Sequence, residues 1–220
     1  MPYFKNKDKD VNILLIHIPK TGGTSLEKYF SKKYSISLSG YSLYGRLPPQ
    51  KKTKCSGVII PCTLQHITYK LMIQIKDAIE LDFNNIKIIT AVRNPYTRII
   101  SDIFWLRLLK PNATKENTYS VIKKYIEGDN PYRHDNHARP QYEFLLDEED
   151  KLLTNIIILR TETLTQDMIA QGFTDFNQHD FKNRHNLNYD DYLNEESIKL
   201  INKYYEKDFL YFNYAIRPSS

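Results

Sequence analysis

Asn12-Ile-Leu-Leu-Ile-His-Ile-Pro-Lys-Thr-Gly-Gly-Thr-Ser25 is an apolar strand that runs into a glycine turn and then a helix. Ile13, Leu14, Leu15, Ile16 and Ile18 have the short continuous apolar pattern of a strand covered on both faces. Gly22 and Gly23 open backbone conformations closed to other residues, so successive N–H groups can converge on one anion where the next helix begins. The helix dipole favours negative charge at the same point. Lys20, Thr21, Thr24 and Ser25 add a cation and three hydroxyls. Such a turn suits a phosphate or a sulfate.

The spacing separates two kinds of anion chemistry. A nucleoside-triphosphate loop places its Lys after the last Gly and follows it with Ser or Thr. Here Lys20 precedes Gly22, although Thr24 or Ser25 remains able to meet magnesium. A magnesium-dependent kinase or NTPase therefore stays as an alternative. A second strand, Ile86 to Val92, ends in Arg93-Asn94-Pro95-Tyr96-Thr97-Arg98-Ile99-Ile100-Ser101. Asn94 is a good N-cap and Pro95 suits the first helical position, which puts Arg93 at the strand end and Ser101 two turns into the helix. An NTPase needs a magnesium-binding Asp at such a strand end. This chain offers a guanidinium, which grips a phosphate by a bidentate fork.

Ile18-Pro-Lys-Thr-Gly-Gly-Thr-Ser25 and Val92-Arg-Asn-Pro-Tyr-x-Arg-x-x-Ser101 resemble the two nucleotide-binding signatures of sulfotransferases. The closer resemblance is to the carbohydrate branch (Golgi-type, heparan and chondroitin) and its bacterial and viral relatives. It implies a P-loop-like α/β fold, with a central parallel sheet of about four to five strands flanked by helices. It also implies 3′-phosphoadenosine 5′-phosphosulfate (PAPS) as donor, 3′,5′-ADP as product, a hydroxyl acceptor such as a carbohydrate, and no required metal. By position, Lys20, Thr21, Gly22, Gly23, Thr24 and Ser25 would hold the 5′-phosphosulfate, and Arg93 with Ser101 the 3′-phosphate. His66, in Leu64-Gln-His-Ile-Thr68, resembles the His that precedes a helix in carbohydrate sulfotransferases and serves there as base. Fainter likenesses are His137-Ala-Arg-Pro-Gln141, Arg160-Thr-Glu162, the Tyr204 to Asp208 pattern, and Asn183-Arg184-His185 as a basic loop over the nucleotide.

Each of these residues also has a plain structural reading. His66 could cap or pack at a helix start, and His17, inside the first strand, reads better as a satisfied structural His. His134, His137, Arg133, Arg139 and Gln141 form either an acceptor-binding loop, with His137, Arg139 and Gln141 reading the acceptor, or a solvated loop. Glu162 could orient a basic neighbour or sit near a helix start. A non-catalytic relative that binds a nucleotide or glycan is the third function class; the presence of Lys20 and His66 argues against it.

The 220 residues suit one α/β domain with a continuous core, residues 1–10 being expected as a flexible polar tail. The formal charge of +5 fits an anionic nucleotide and is spread along the chain, with no nucleic-acid reader motif. Cys55 and Cys62 flank an expected strand at 57–60, and an extended chain would hold the two thiols roughly 20 Å apart, beyond disulfide reach. Free thiols imply a reducing compartment. With neither an apolar signal core nor a membrane span, the chain reads as a soluble microbial or viral enzyme rather than a truncated Golgi luminal domain.

Helices are expected at 24–33, 68–80, from Pro95, and at 119–127, 141–146 and 195–206. A further strand is expected at 155–159. Alternating strands and helices imply a parallel sheet, whose ligands bind beyond the strands' carboxyl ends. Lys20, His66, Arg93 and Arg160 should then gather on one edge.

Overall fold

The computed structural model describes residues 2–38, 62–128, 132, 134–178 and 188–218. Cys55, the expected strand at 57–60, Arg133 and the Asn183-Arg184-His185 loop lie outside the described residues.

Four strands form one sheet in the order β1-β2-β3-β4. They are β1 (Tyr3–Asn6), β2 (Val11–Ile16), β3 (Lys87–Val92) and β4 (Ile157–Arg160). β2, β3 and β4 run parallel, with Leu15 opposite Ile89 and Ala91 opposite Leu159. β1 is antiparallel to β2, with Phe4 opposite Ile13. The flexible tail expected at residues 1–10 is thus replaced at Tyr3–Asn6 by an edge strand. Phe4 explains it: the ring is fully buried and packs on Phe30 with centroids 5.4 Å apart.

Side-chain alternation along β2 supplies both layers. Ile13 and Leu15 face α1 (Gly23–Tyr34), through Leu26, Tyr29 and Phe30, and meet Leu164 and Met168 of a later helix. Leu14 and Ile16 face the opposite cluster, which holds Met72 of α2 (Tyr69–Gln74) and Phe144 and Leu145 of a 3₁₀ turn at Gln141–Leu145. A strand apolar on both faces is what this sandwich requires.

α3 (Pro95–Trp105) starts as its sequence predicts, with the Asn94 side chain accepting from the Tyr96 N–H at 3.0 Å. α4 (Lys115–Ile126) begins earlier than expected because Thr114 caps it by accepting from the Asn117 N–H. α2 is shorter than expected, ending at Gln74. The helix expected at 141–146 is a 3₁₀ turn, Gln141–Leu145. α5 (Leu164–Ala170) follows the helix start weighed at Glu162, while the last expected helix divides into α6 (Glu195–Tyr204), capped by Asn194, and α7 (Glu206–Tyr211). α3, α4, α6 and α7 share a third apolar cluster that includes Tyr96, Ile122, Ile201 and Phe209.

Asp208 of α7 fastens the chain's end to its centre. Its buried carboxylate accepts from the backbone N–H groups of Gln141 and Tyr142, both at 2.8 Å, and lies 3.3 Å from the Gln141 amide nitrogen. Removing one partner leaves buried donors unpaired, at about 1–3 kcal/mol for each group. We expect Asp208→Ala to lower the unfolding free energy by at least about 2 kcal/mol, measured by urea titration. An unchanged midpoint would show that water satisfies these donors.

Candidate active site

Beyond the carboxyl ends of β2 and β3 lies a cleft of ≈ 820 Å³. Its floor is the turn that leaves β2. Lys20 and Gly22 adopt left-handed backbone, φ 65° and 91°, and Gly22 is the N-cap position of α1. Gly23 is required for a different reason: a Cβ there would stand 2.2 Å from the His17 ring. His17 is in turn held by Glu27, Nδ1 to Oε1 at 2.5 Å, and Gln65 donates to the same carboxylate at 3.0 Å. His17 thus packs under the turn and fixes its height.

Lys20, Gly22, Gly23, Thr24 and Ser25 line the cleft. Thr21 lies beside them, but its side chain is buried and donates its hydroxyl proton to the Ile18 carbonyl at 2.8 Å. The Lys20 ammonium sits over the Trp105 ring, 5.1 Å from its centroid. Burial is the main cause that lowers its pKa to about 8; Arg93 pushes in the same direction and Asp102 opposes. A desolvated cation facing a cleft is stabilised by an incoming anion.

Arg93 and Ser101 line the same cleft. The Arg93 guanidinium donates to the Lys20 carbonyl at 3.2 Å and to the Thr97 hydroxyl at 3.1 Å. Its backbone is gripped by Gln141, whose Oε1 accepts from the Arg93 N–H at 2.8 Å and whose Nε2 donates to the Arg93 carbonyl at 2.9 Å. Gln141 is therefore fully buried behind the site and does not line the cleft. Arg139 is also outside the lining, ion-paired with Glu143 at 2.6 Å. Arg160 turns away to the Phe212 carbonyl and the Tyr214 ring, so the strand-end gathering takes in Lys20, His66 and Arg93 but not Arg160. Glu162 lies at the rim, accepting from the Asn94 N–H at 2.8 Å.

Opposite the turn stand His66 and His137. His66 Nδ1 lies 2.9 Å from Asp135 Oδ2, and His137 Nδ1 lies 2.6 Å from Asp102 Oδ1. The rings of His17, His66 and His137 follow one another edge to face at 5.0 and 4.9 Å, and among the described residues they do not form a metal-binding group. Burial, the largest influence, lowers the His66 pKa to about 4 despite the opposing Asp135 bond. His66 is therefore neutral near pH 7. An ionised Asp135 can only accept, so Nδ1 carries the proton and Nε2 the lone pair.

Three positioning residues escaped the sequence reading. Asp135 is one; it also accepts from the Thr63 N–H and hydroxyl at 2.5 and 2.6 Å. Asn136 is another, its buried amide donating to the His66 carbonyl at 2.7 Å. The third is Arg98, only 2% exposed, which donates to the carbonyls of Pro19 and His137 at 3.1 and 2.8 Å and so ties both walls of the cleft together. The signal for Asp135 and Asn136 was the run His134-Asp135-Asn136, three consecutive residues at positive φ, where Asn, Asp and His are enriched.

The model of the sulfotransferase family matches residues 3–215. The chain belongs to the sulfotransferase family. Comparison with curated proteins and with solved structures returned no match. Membership makes this chain a transferase of sulfuryl groups, on an α/β fold of the P-loop-like kind. Among the described residues, no helix of this sulfotransferase is long and apolar enough to cross a membrane.

The Lys20 environment predicts a pH dependence for any anion that binds beside it. The ammonium form binds an anion, so affinity should be full below about 8 and weaken as pH rises through that value. Phosphate groups, with a second pKa of about 6, are already fully ionised there. We expect 3′,5′-ADP affinity of the wild type to fall between pH 8 and 9.5, while Lys20→Arg stays level because a guanidinium remains charged to about pH 12. A level wild-type profile would remove Lys20 from the anion site.

Proposed function

We propose that this sulfotransferase moves the sulfuryl group of PAPS to a hydroxyl of a carbohydrate acceptor, with His66 as general base. The observation that carries the proposal is the His66 imidazole, oriented by Asp135, on the same cleft as Lys20, Gly22 and Gly23. The residues present suit the donor. Gly22, left-handed at φ 91°, turns the chain into the start of α1, Lys20 is a desolvated cation beside it, and Arg93 supplies a second cation suited to a separate phosphate.

Sulfuryl transfer is close to phosphoryl transfer, in which charge stabilisation and alignment dominate over covalent help. His66 Nε2 takes the proton of the acceptor hydroxyl as its oxygen bonds to sulfur and the bond from sulfur to the bridging phosphate oxygen breaks. Lys20 and the N–H groups at the start of α1 balance the charge that develops on the leaving phosphate of 3′,5′-ADP. Asp135 keeps the lone pair on Nε2 and stabilises the imidazolium that forms. His137 and Trp105 wall the acceptor side. Arg184, outside the described residues, remains a proposed donor contact by resemblance.

General-base assistance is worth about 10² to 10⁴ in rate. We expect His66→Ala to lower kcat by about that factor, with calorimetric affinity for 3′,5′-ADP kept. Asp135→Asn should lower kcat at every pH and also leave that affinity intact. Turnover of His66→Ala at the wild-type rate would exclude His66 as the base.

A further inference from the structure

We infer that His17 is a further contact of the donor's 5′ anion: its imidazole, doubly protonated, bridges the Glu27 carboxylate at Nδ1 and the anion bound at the start of α1 at Nε2. This rests on the donor assignment above and deepens it, giving a ligand role to a residue that reads from its sequence as structural.

The backbone sets the place of the ring. His17 follows β2 directly, and the chain then turns at Gly22 into α1. In a helix the bond from Cα to Cβ tilts toward the N-terminus. The space that a Gly23 Cβ would take is filled by one edge of the imidazole, with Cδ2 2.2 Å and Nε2 2.4 Å from that point. Nε2 therefore lies at the N-terminal end of α1. That end carries no side-chain cap, Gly22 being the cap position, and no acidic residue in its first turn. Such an end favours an anion.

The ring is 4% exposed and lines the cleft. Its Nδ1 is committed to Glu27 Oε1 at 2.5 Å, whereas Nε2 has no hydrogen-bond partner among the described residues. Nε2 is not sealed in the core either, since among the described residues the enclosed side-chain polar atom without a partner is Asn12 Oδ1. A ring so deeply buried, with one nitrogen unpaired and open to the cleft, is completed by a ligand.

The chemistry of the pair says which kind. Glu27 is itself buried; burial opposes its ionisation, yet the His17 ring and the Gln65 amide hold its carboxyl below the usual range. An ionised carboxylate can only accept, so Nδ1 carries a proton, and an imidazole that also donates from Nε2 carries two. In that form Glu27 is paired rather than left to repel an incoming anion, and a charge-assisted N–H joins those of the helix start. The groups facing the ring are Glu27 and Gly23 from α1, and Gln65 and His66 from the segment before α2, His66 standing edge to face at 5.0 Å. Packing against Gly23 could be met by an apolar ring; a buried acid paired with it serves a charge.

The test reads the imidazole itself. In nitrogen-15-labelled wild type at pH 7.5, the ring-nitrogen signals of His17 would be recorded with 3′,5′-ADP at saturation. Protonation of both nitrogens is expected, and a lone pair on Nε2 in the complex would overturn the inference. By calorimetry, His17→Gln and His17→Phe should each bind 3′,5′-ADP roughly tenfold or more weakly. Both should bind adenosine 3′-monophosphate, which lacks the 5′ anion, as the wild type does. Equal losses for the two nucleotides, or no loss for either, would make His17 structural and overturn the inference while leaving the donor assignment standing. If neither variant folds, the wild-type spectrum decides alone. Failure of the wild type to bind 3′,5′-ADP would instead overturn the proposed function, and this inference with it.

Discussion

Everything at the site depends on the parallel pairing of β2 with β3. Leu15 lies opposite Ile89 and Ile16 opposite Thr90, and the Thr90 hydroxyl, buried in the sheet, donates to the Ile16 carbonyl at 2.8 Å. Two parallel neighbours must release their chains at the same edge, so the Lys20 turn and the Arg93 turn emerge side by side. An antiparallel pair would have sent them to opposite ends. The Arg93 guanidinium then reaches the Lys20 carbonyl, and Thr161, leaving β4, places its hydroxyl within 2.7 Å of the Thr21 carbonyl and 3.0 Å of the Val92 carbonyl. Three strand ends are thereby bound into one rim.

Bringing two cations together has a cost that the fold offsets through buried polar clamps. Arg98 spans from the Pro19 carbonyl to the His137 carbonyl, Gln141 holds both backbone groups of Arg93, and Asp208 holds Gln141 in turn. Each clamp is a paired buried group, the condition under which such groups confer position rather than instability. The histidines obey the same rule: His17, His66 and His137 each have Nδ1 against a carboxylate, which orients every ring before any ligand arrives. Such preorganisation lets a site stabilise developing charge without rearranging at the moment of reaction.

How much of this was legible in the sequence followed the range of the interactions. Apolar runs announced β2 and β3, and Asn94-Pro95 announced the start of α3, because strand burial and N-capping are local. The turn after β2 was legible from Gly22 and Gly23, although the reason for Gly23, contact with His17, was not. Phe4 was read as part of a tail since a four-residue edge strand has no pattern of its own. His137 was left undecided between ligand-reading and solvated, whereas its ring is buried between Trp105 and His66. Gln141 and Arg139 looked like acceptor residues because polar side chains near a motif suggest ligands. Their partners Arg93 and Asp208, and Glu143, occupy them, and the first two lie far away in the chain. The partners of Asp135 and of Arg98, which stands inside the quoted signature, could not be read for the same reason, their bonds linking segments that only the fold brings together.

The central claim is that the cleft holds two separated anionic groups of a 3′-phosphorylated nucleotide without a metal. Calorimetric titration with 3′,5′-ADP, run with and without magnesium beside ATP, tests it most directly. The account predicts tight binding of 3′,5′-ADP that magnesium leaves unchanged, and weak binding of ATP. Preference for ATP with magnesium would contradict it and make the Lys20 turn a nucleoside-triphosphate site.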